Sequence, residues 1–178
     1  MDILSSKWIS RHMEICYQIA GWSKDPNTKV GAVIVTKDGK PRSWGFNGIP
    51  SNVKDLPSRF ERPIKYNFFA HAERNAIDLC EVSVKDCILF CTHSPCSDCA
   101  RGIVSKGIYA VIVDSRNGFL GESFIKRNAS SLQCHNSSLE IFTEARVFYY
   151  EYNVIGQNLS SIKKTEGEEK NVYPVSIN

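Results

Sequence analysis

The sequence lacks any apolar run long enough to span a bilayer. Its first thirty residues also lack the look of a secretory signal, because Met1 to Asp25 mixes charges through an amphipathic pattern without an apolar block. There is no basic tract either. The 22 Lys and Arg stand against 19 Asp and Glu for a formal charge of +3, and their scatter argues against a polynucleotide partner while leaving room for a small pocket that holds one phosphate. Seven cysteines, an odd number without an export signal, point to reduced thiols and a cytoplasmic setting rather than a disulfide framework. Cys16, Cys80, Cys87, Cys91 and Cys134 then read as small core residues.

What remains is enough for one domain with a real core: 178 residues, 42% hydrophobic. Ser5 to Trp22 carries apolar residues at helical spacing. Val30 to Val35 reads as a buried strand, Lys37-Asp38-Gly39-Lys40 as a hairpin turn, and Arg42 to Phe46 as the returning strand. The twenty or so residues after Pro50 look like a functional loop. Helices are expected over Ala70 to Glu81, Cys96 to Lys106 (stopped by Gly107) and Leu139 to Ala145. Strands are expected over Cys87 to Thr92, Tyr109 to Asp114 and Val147 to Tyr152. Ser115 to Ser137 reads as an irregular insertion with a helical turn near Phe124. Residues 1–160 form the domain and 161–178 a polar, loosely ordered tail. This order predicts an α/β fold with a mixed five-stranded sheet and helices on both faces, its last three strands parallel through right-handed crossovers.

Two short stretches carry the chemistry. His71-Ala72-Glu73 offers an imidazole and, two positions on, a carboxylate. Pro95-Cys96-Ser97-Asp98-Cys99 offers two thiols on one side of a helix start, where the helix dipole favours thiolates. His71, Cys96 and Cys99 make three ligands, the number a catalytic zinc takes when it keeps one tetrahedral position open. Two thiolates cancel the formal charge of zinc, which leaves Glu73 free to act as acid and base. A closed structural zinc needs a fourth ligand. Cys91 and His93 are the nearest candidates, but Cys91 falls in a strand and His93 at the pocket rim.

H-x-E followed by P-C-x-x-C is the known signature of zinc nucleobase deaminases. With Ser23 to Gly31 (SKDPNTKVG), Gly45 to Pro50 (GFNGIP), Arg62 to Ile77 (RPIKYNFFAHAERNAI) and Thr92 to Ile103 (THSPCSDCARGI), the chain resembles the cytidine and deoxycytidylate deaminase superfamily, and within it the phage and bacterial dCMP deaminase branch. The resemblance implies a three-layer α/β/α cytidine-deaminase fold and hydrolysis of dCMP to dUMP and ammonia, which supplies dUMP for dTMP synthesis. It implies Zn2+ on His71, Cys96 and Cys99, and Glu73 as the proton shuttle. Asn47 and Ala72 would hold the substrate, the latter through its backbone N–H, with Ser94 and Pro95 beside them. Activation by dCTP (with Mg2+ accompanying it) and inhibition by dTTP would involve Lys24, Asp25, Asn27, Phe46, Asn47 and Gly48, although Phe46 stands where the branch has tyrosine. A homo-hexamer is implied as well.

The substrate phosphate would lie on Arg59, Arg62 and Lys65 or on Arg116, Lys126 and Arg127, since arginine suits phosphate oxygens. Other deaminase substrates stay open at this point: tRNA adenosine, free cytidine, riboflavin precursors and dCTP. A catalytically silent zinc interaction module is the non-enzyme reading, and an intact Glu73 speaks against it.

Overall fold

A computed structural model describes residues 5–118, 129–163 and 171–174, with backbone alone for 129–132, 161–163 and 171–174. Helix α1 (Ser6–Ala20) turns Ile9, His12, Met13, Cys16, Ile19 and Ala20 inward, the three-and-four spacing that buries one stripe of a helix. Strand β1 (Gly31–Val35) is buried along its whole length, as befits an apolar run flanked by partners on both edges. Strand β2 (Pro41–Phe46) returns beside it with alternating burial. The turn between them closes through Thr36 and Lys40 and uses Gly39 at φ 82°.

Helix α2 (Ala72–Asp78), strand β3 (Ile88–Cys91), helix α3 (Ser97–Ser105) and strand β4 (Ala110–Asp114) follow, then helix α4 (Ala129–Glu144) and strand β5 (Phe148–Asn153). β1 pairs antiparallel with β3, while β3, β4 and β5 run parallel, as the two helical crossovers require. Helix α1 packs on one face of the sheet, where Ile9, Met13 and Cys16 meet Val33, Phe90, Ile112 and Tyr152. Helices α2, α3 and α4 cover the other, with Ala76, Ile103 and Phe142 against Ile34, Leu89 and Val111. The three-layer α/β/α arrangement is therefore the one expected.

The sheet is larger than the expected five strands. Its order is β2-β1-β3-β4-β5-β6-β7, with β6 (Asn158–Lys163) and β7 (Asn171–Pro174) added antiparallel at the β5 edge. Both lie in or beside the stretch read as polar tail. Polar composition concealed them because an edge hairpin needs backbone pairing and few buried side chains, and Leu159 supplies one, nearly inaccessible against the α1-side core.

Helix α4 is likewise longer than Leu139 to Ala145. Its first two turns are rich in Ser, Gln, His and Asn and show no apolar period, so packing on α3 holds them helical, not propensity. The helical turn expected near Phe124 lies outside the described residues. Of the five cysteines read as core, Cys16, Cys87 and Cys91 are buried, while Cys80 and Cys134 are half-buried.

Two glycines set how closely the helices approach. A Cβ on Gly31 would fall 2.0 Å from the Cys16 carbonyl oxygen of α1, and one on Gly45 would fall 2.4 Å from Ala72 O and from Ala76 N of α2. The long loop after β2 is pinned at its ends by a two-way backbone bridge: Gly48 N–H donates to Ala70 O (3.1 Å) and Ala70 N–H to Gly48 O (2.8 Å). Two short 3-10 turns, Pro57–Phe60 and Ile64–Asn67, fold within it.

Candidate active site

The site forms where α2 and α3 begin. His71 is the residue before the first turn of α2 and Cys96 the residue before the first turn of α3. Neither side chain caps its own helix, so both are free to point at a common centre, and Cys99 joins them from the first turn of α3. Tetrahedral zinc at its usual bond lengths separates a thiolate from an imidazole nitrogen by about 3.5 Å. Cys96 Sγ and Cys99 Sγ each lie 3.4 Å from His71 Nδ1, and all three ligand atoms lie within 4.8 Å of one another. The donor set and spacing fit zinc. Among the described residues no second group of three or more such ligands occurs.

Charge in the cluster follows from its contacts. The hydrogen bond to Cys99, with help from His71, pushes the Cys96 thiol down to about 3. The same Cys96 partnership, together with burial, pushes Cys99 up. The bond to Cys96 raises His71 to about 9. Glu73, only 3% exposed, is raised by burial. A carboxyl raised in this way is suited to carrying a proton near neutral pH.

All four groups except Cys99 line one cavity of about 580 Å³, whose wall also includes Asp25, Asn47, Arg62, Lys65, His93 and Ser94. Ala72 lines it too, while Pro95 is buried and does not line it. Ser94 Oγ shares a 2.7 Å hydrogen bond with Tyr149 Oη. The rim segment is fastened to β1 and to the turn after β4: Thr92 N–H donates to Gly31 O, and Asn117 Nδ2 to Thr92 O.

The residues assigned to regulation divide. Asp25 and Asn47 belong to the main cavity. Asp25 is fully buried and accepts from Asn27 N–H (2.9 Å), Thr28 N–H (3.2 Å), Asn47 Nδ2 (3.0 Å) and the Lys65 ammonium. Burial pushes its carboxyl up, but those bonds outweigh it and hold Asp25 below the ordinary carboxylate range. Asn47 gives both amide hydrogens to the protein, to Asp25 and to Thr28 O, and its Oδ1 accepts from Val30 N–H at 2.8 Å. Lys24 is exposed and paired with Asp55. Asn27 faces a second, shallow cavity lined by Pro26, Pro57, Phe60, Glu61 and Arg62. Phe46 meets Trp22 edge-on, and Gly48 is taken by the Ala70 bridge.

The phosphate candidates divide too. Arg116 is clamped to the buried Asp114 by its Nε and Nη2, with Tyr17 Oη on the same carboxylate at 2.5 Å. Arg59 lies over the Phe68 ring and donates to Lys54 O. Lys126 and Arg127 lie outside the described residues. Arg62 is exposed on the cavity margin, with no carboxylate partner among the described residues. His135 of α4, Tyr66 and Phe69 also line the cavity. Sequence reading missed these three because no motif marks them; only the length of α4 and the folding of the loop bring them in.

Comparison with known families decides what this geometry belongs to. The model of the cytidine and deoxycytidylate deaminase zinc-binding region matches residues 6–115. The chain belongs to the cytidine and deoxycytidylate deaminase family. As a member, with a His-Cys-Cys centre, it is a zinc deaminase of nucleosides or nucleotides. This deaminase is 39% identical over 142 residues to a protein described as an uncharacterized deaminase in the luxG 3′ region of Aliivibrio fischeri, covering 80% of this chain and 91% of that one. It is 37% identical over 113 residues to human deoxycytidylate deaminase, covering 60% of this chain and 64% of the human protein, so it spans just under two thirds of that relative. The crystal structure of dCMP deaminase from cyanophage S-TIM5 in complex with dCMP and dUMP superposes with a TM-score of 0.54 at 28% identity, over 74% of this chain and 89% of that one.

Proposed function

We propose that this chain hydrolyses the exocyclic amino group of dCMP, releasing dUMP and ammonia. The observation that carries the reading is a buried carboxyl, Glu73, beside a three-ligand centre in a cavity whose exposed margin offers an arginine, Arg62, with no carboxylate partner among the described residues. Zinc on His71, Cys96 and Cys99 would supply Lewis acidity that makes water nucleophilic near neutral pH. Glu73 takes a proton from the attacking water, delivers it to the ring nitrogen beside the amino-bearing carbon, and then serves the departing ammonia as the C–N bond breaks. The first-turn amide of Ala72 is the donor for the pyrimidine carbonyl. Arg62 accepts the monophosphate because a phosphate needs net positive charge and planar donors, and Arg116, spent on Asp114, has none to give.

Regulation by dCTP and dTTP attaches to the shallow cavity beside Asn27 and to the Phe46–Gly48 turn, and assembly into a hexamer accompanies it in this reading. Support comes from the named dCMP deaminases among the relatives and from the Gly45 to Pro50 segment. The test is ammonia release from dCMP, dCTP, CMP, deoxycytidine and adenosine, each with and without dCTP or dTTP. Fastest turnover of dCMP is expected, and an inert dCMP under every condition overturns the substrate assignment.

A further inference from the structure

The cavity wall holds a cation that the reaction does not use. Lys65 is 6% exposed, lines the cavity and rests its ammonium 5.1 Å from the Phe69 ring centre. Among the described residues its hydrogen-bond acceptor is Asp25 alone. An ammonium carries three donors and no acceptor, so two N–H directions remain for a ligand. Asp25 does not move to meet it: two backbone amides and Asn47 fix that carboxylate in place, and Lys65 is fixed through it. A donor held in this way loses little freedom when it binds a ligand.

The charge of the pair decides which ligand atom it suits. Asp25 already balances Lys65, so the two are neutral together and offer little to a phosphate dianion. What the site lacks is an oxygen that accepts. Chain order along the wall does place it: of the cavity-lining residues on the segment that leads into α2, Arg62 is exposed at the margin, Lys65 follows, buried and with no hydrogen bond to the centre among the described residues, and His71 and Glu73 come last, at the base-reacting end. A nucleotide laid along that order presents its sugar between base and phosphate, and deoxyribose has one free hydroxyl, on C3′. We propose that Lys65, held by Asp25, donates a hydrogen bond to the sugar 3′-hydroxyl oxygen and so determines specificity for that hydroxyl. This rests on the cytidine-nucleotide reading above.

The experiment compares kcat/KM of the zinc-loaded full chain on dCMP, on 2′,3′-dideoxycytidine monophosphate and on deoxycytidine. Wild type should lose about 10- to 100-fold on the dideoxy substrate, the range for one hydrogen bond to a charged donor. Lys65→Met should turn over dCMP and its dideoxy analogue alike, yet keep its preference for dCMP over deoxycytidine, which belongs to Arg62. Because Lys65→Met leaves Asp25 buried and unpaired, the double variant Asp25→Asn with Lys65→Met is measured beside it, with zinc content and thermal midpoint as checks of folding. Wild type indifferent to the 3′-hydroxyl overturns the inference, whatever the variants do. So does a folded variant that still discriminates against the dideoxy substrate, or one that loses the phosphate preference instead. If wild type turns over no cytidine compound at all, the substrate assignment itself fails and takes the Lys65 role with it.

Discussion

Replacing Gly45 by alanine adds one methyl group at the point where β2 touches α2, and the consequence can be worked from distances. The new Cβ would lie 2.4 Å from Ala72 O, 2.4 Å from Ala76 N and 2.9 Å from Asn75 C. All three are backbone atoms, so no side chain can swing aside. Ordinary contact begins near 3.4 Å, and α2 must therefore retreat by about 1 Å or β2 must bend by as much. Overpacking of this kind costs about 1–3 kcal/mol, and a rigid backbone contact belongs at the upper end. Ala72 and Ala76 flank Glu73, and His71 leads into the same helix, so the displacement falls on ligand and proton carrier together. A misplacement of about 1 Å lowers turnover on the order of 10²-fold. Gly45→Ala is assayed for thermal midpoint, bound zinc and deamination rate. A variant with wild-type midpoint and wild-type rate would refute the claim that this contact sets the position of α2.

Other outcomes follow from single groups. His71→Ala and Cys99→Ser should each lose stoichiometric zinc on purification, read by atomic absorption, because two ligands cannot hold the metal as three do. Arg62→Ala should raise KM for dCMP about tenfold or more while leaving deoxycytidine turnover close to wild type; equal losses on both would remove Arg62 from the phosphate. His12 is buried against Phe90 with neither ring nitrogen hydrogen-bonded among the described residues, and burial holds its pKa below 6.5. The unfolded chain therefore takes up a proton that the folded one refuses as pH falls below about 6.5. Wild type should lose up to about 1.4 kcal/mol per pH unit there relative to His12→Leu, and parallel urea midpoints for the two chains at pH 7.5 and 5.5 would contradict this.

The three-ligand cluster was legible because its residues stand at short, fixed spacings. His71 to Glu73 and Cys96 to Cys99 each occupy one turn at a helix start, so local sequence alone sets the geometry within each pair. What joins the pairs is the parallel β3–β4 architecture, and the apolar runs at Cys87 to Thr92 and Tyr109 to Asp114 announced it. Long-range partners were not legible. That Asp25 would turn into the cavity depends on Lys65 arriving from a loop 40 residues later, and that Arg116 would be spent on Asp114 depends on Tyr17 from α1. Loop folding also gave Tyr66 to the cavity, and the unforeseen first turns of α4 gave it His135, without any local signal. The two edge strands were hidden for a different reason: β6 and β7 are held by backbone pairing, which polar composition neither requires nor betrays.

The most direct test of the central claim is Glu73→Gln in the zinc-loaded chain, with bound metal and dUMP formation from dCMP measured on the same sample. Glutamine keeps the size and loses the proposed proton carrier, and Glu73 is not one of the three clustered ligands. Full zinc occupancy with turnover reduced by at least about 10²- to 10⁴-fold is the predicted result. Wild-type ammonia release from a zinc-replete Glu73→Gln chain would contradict it.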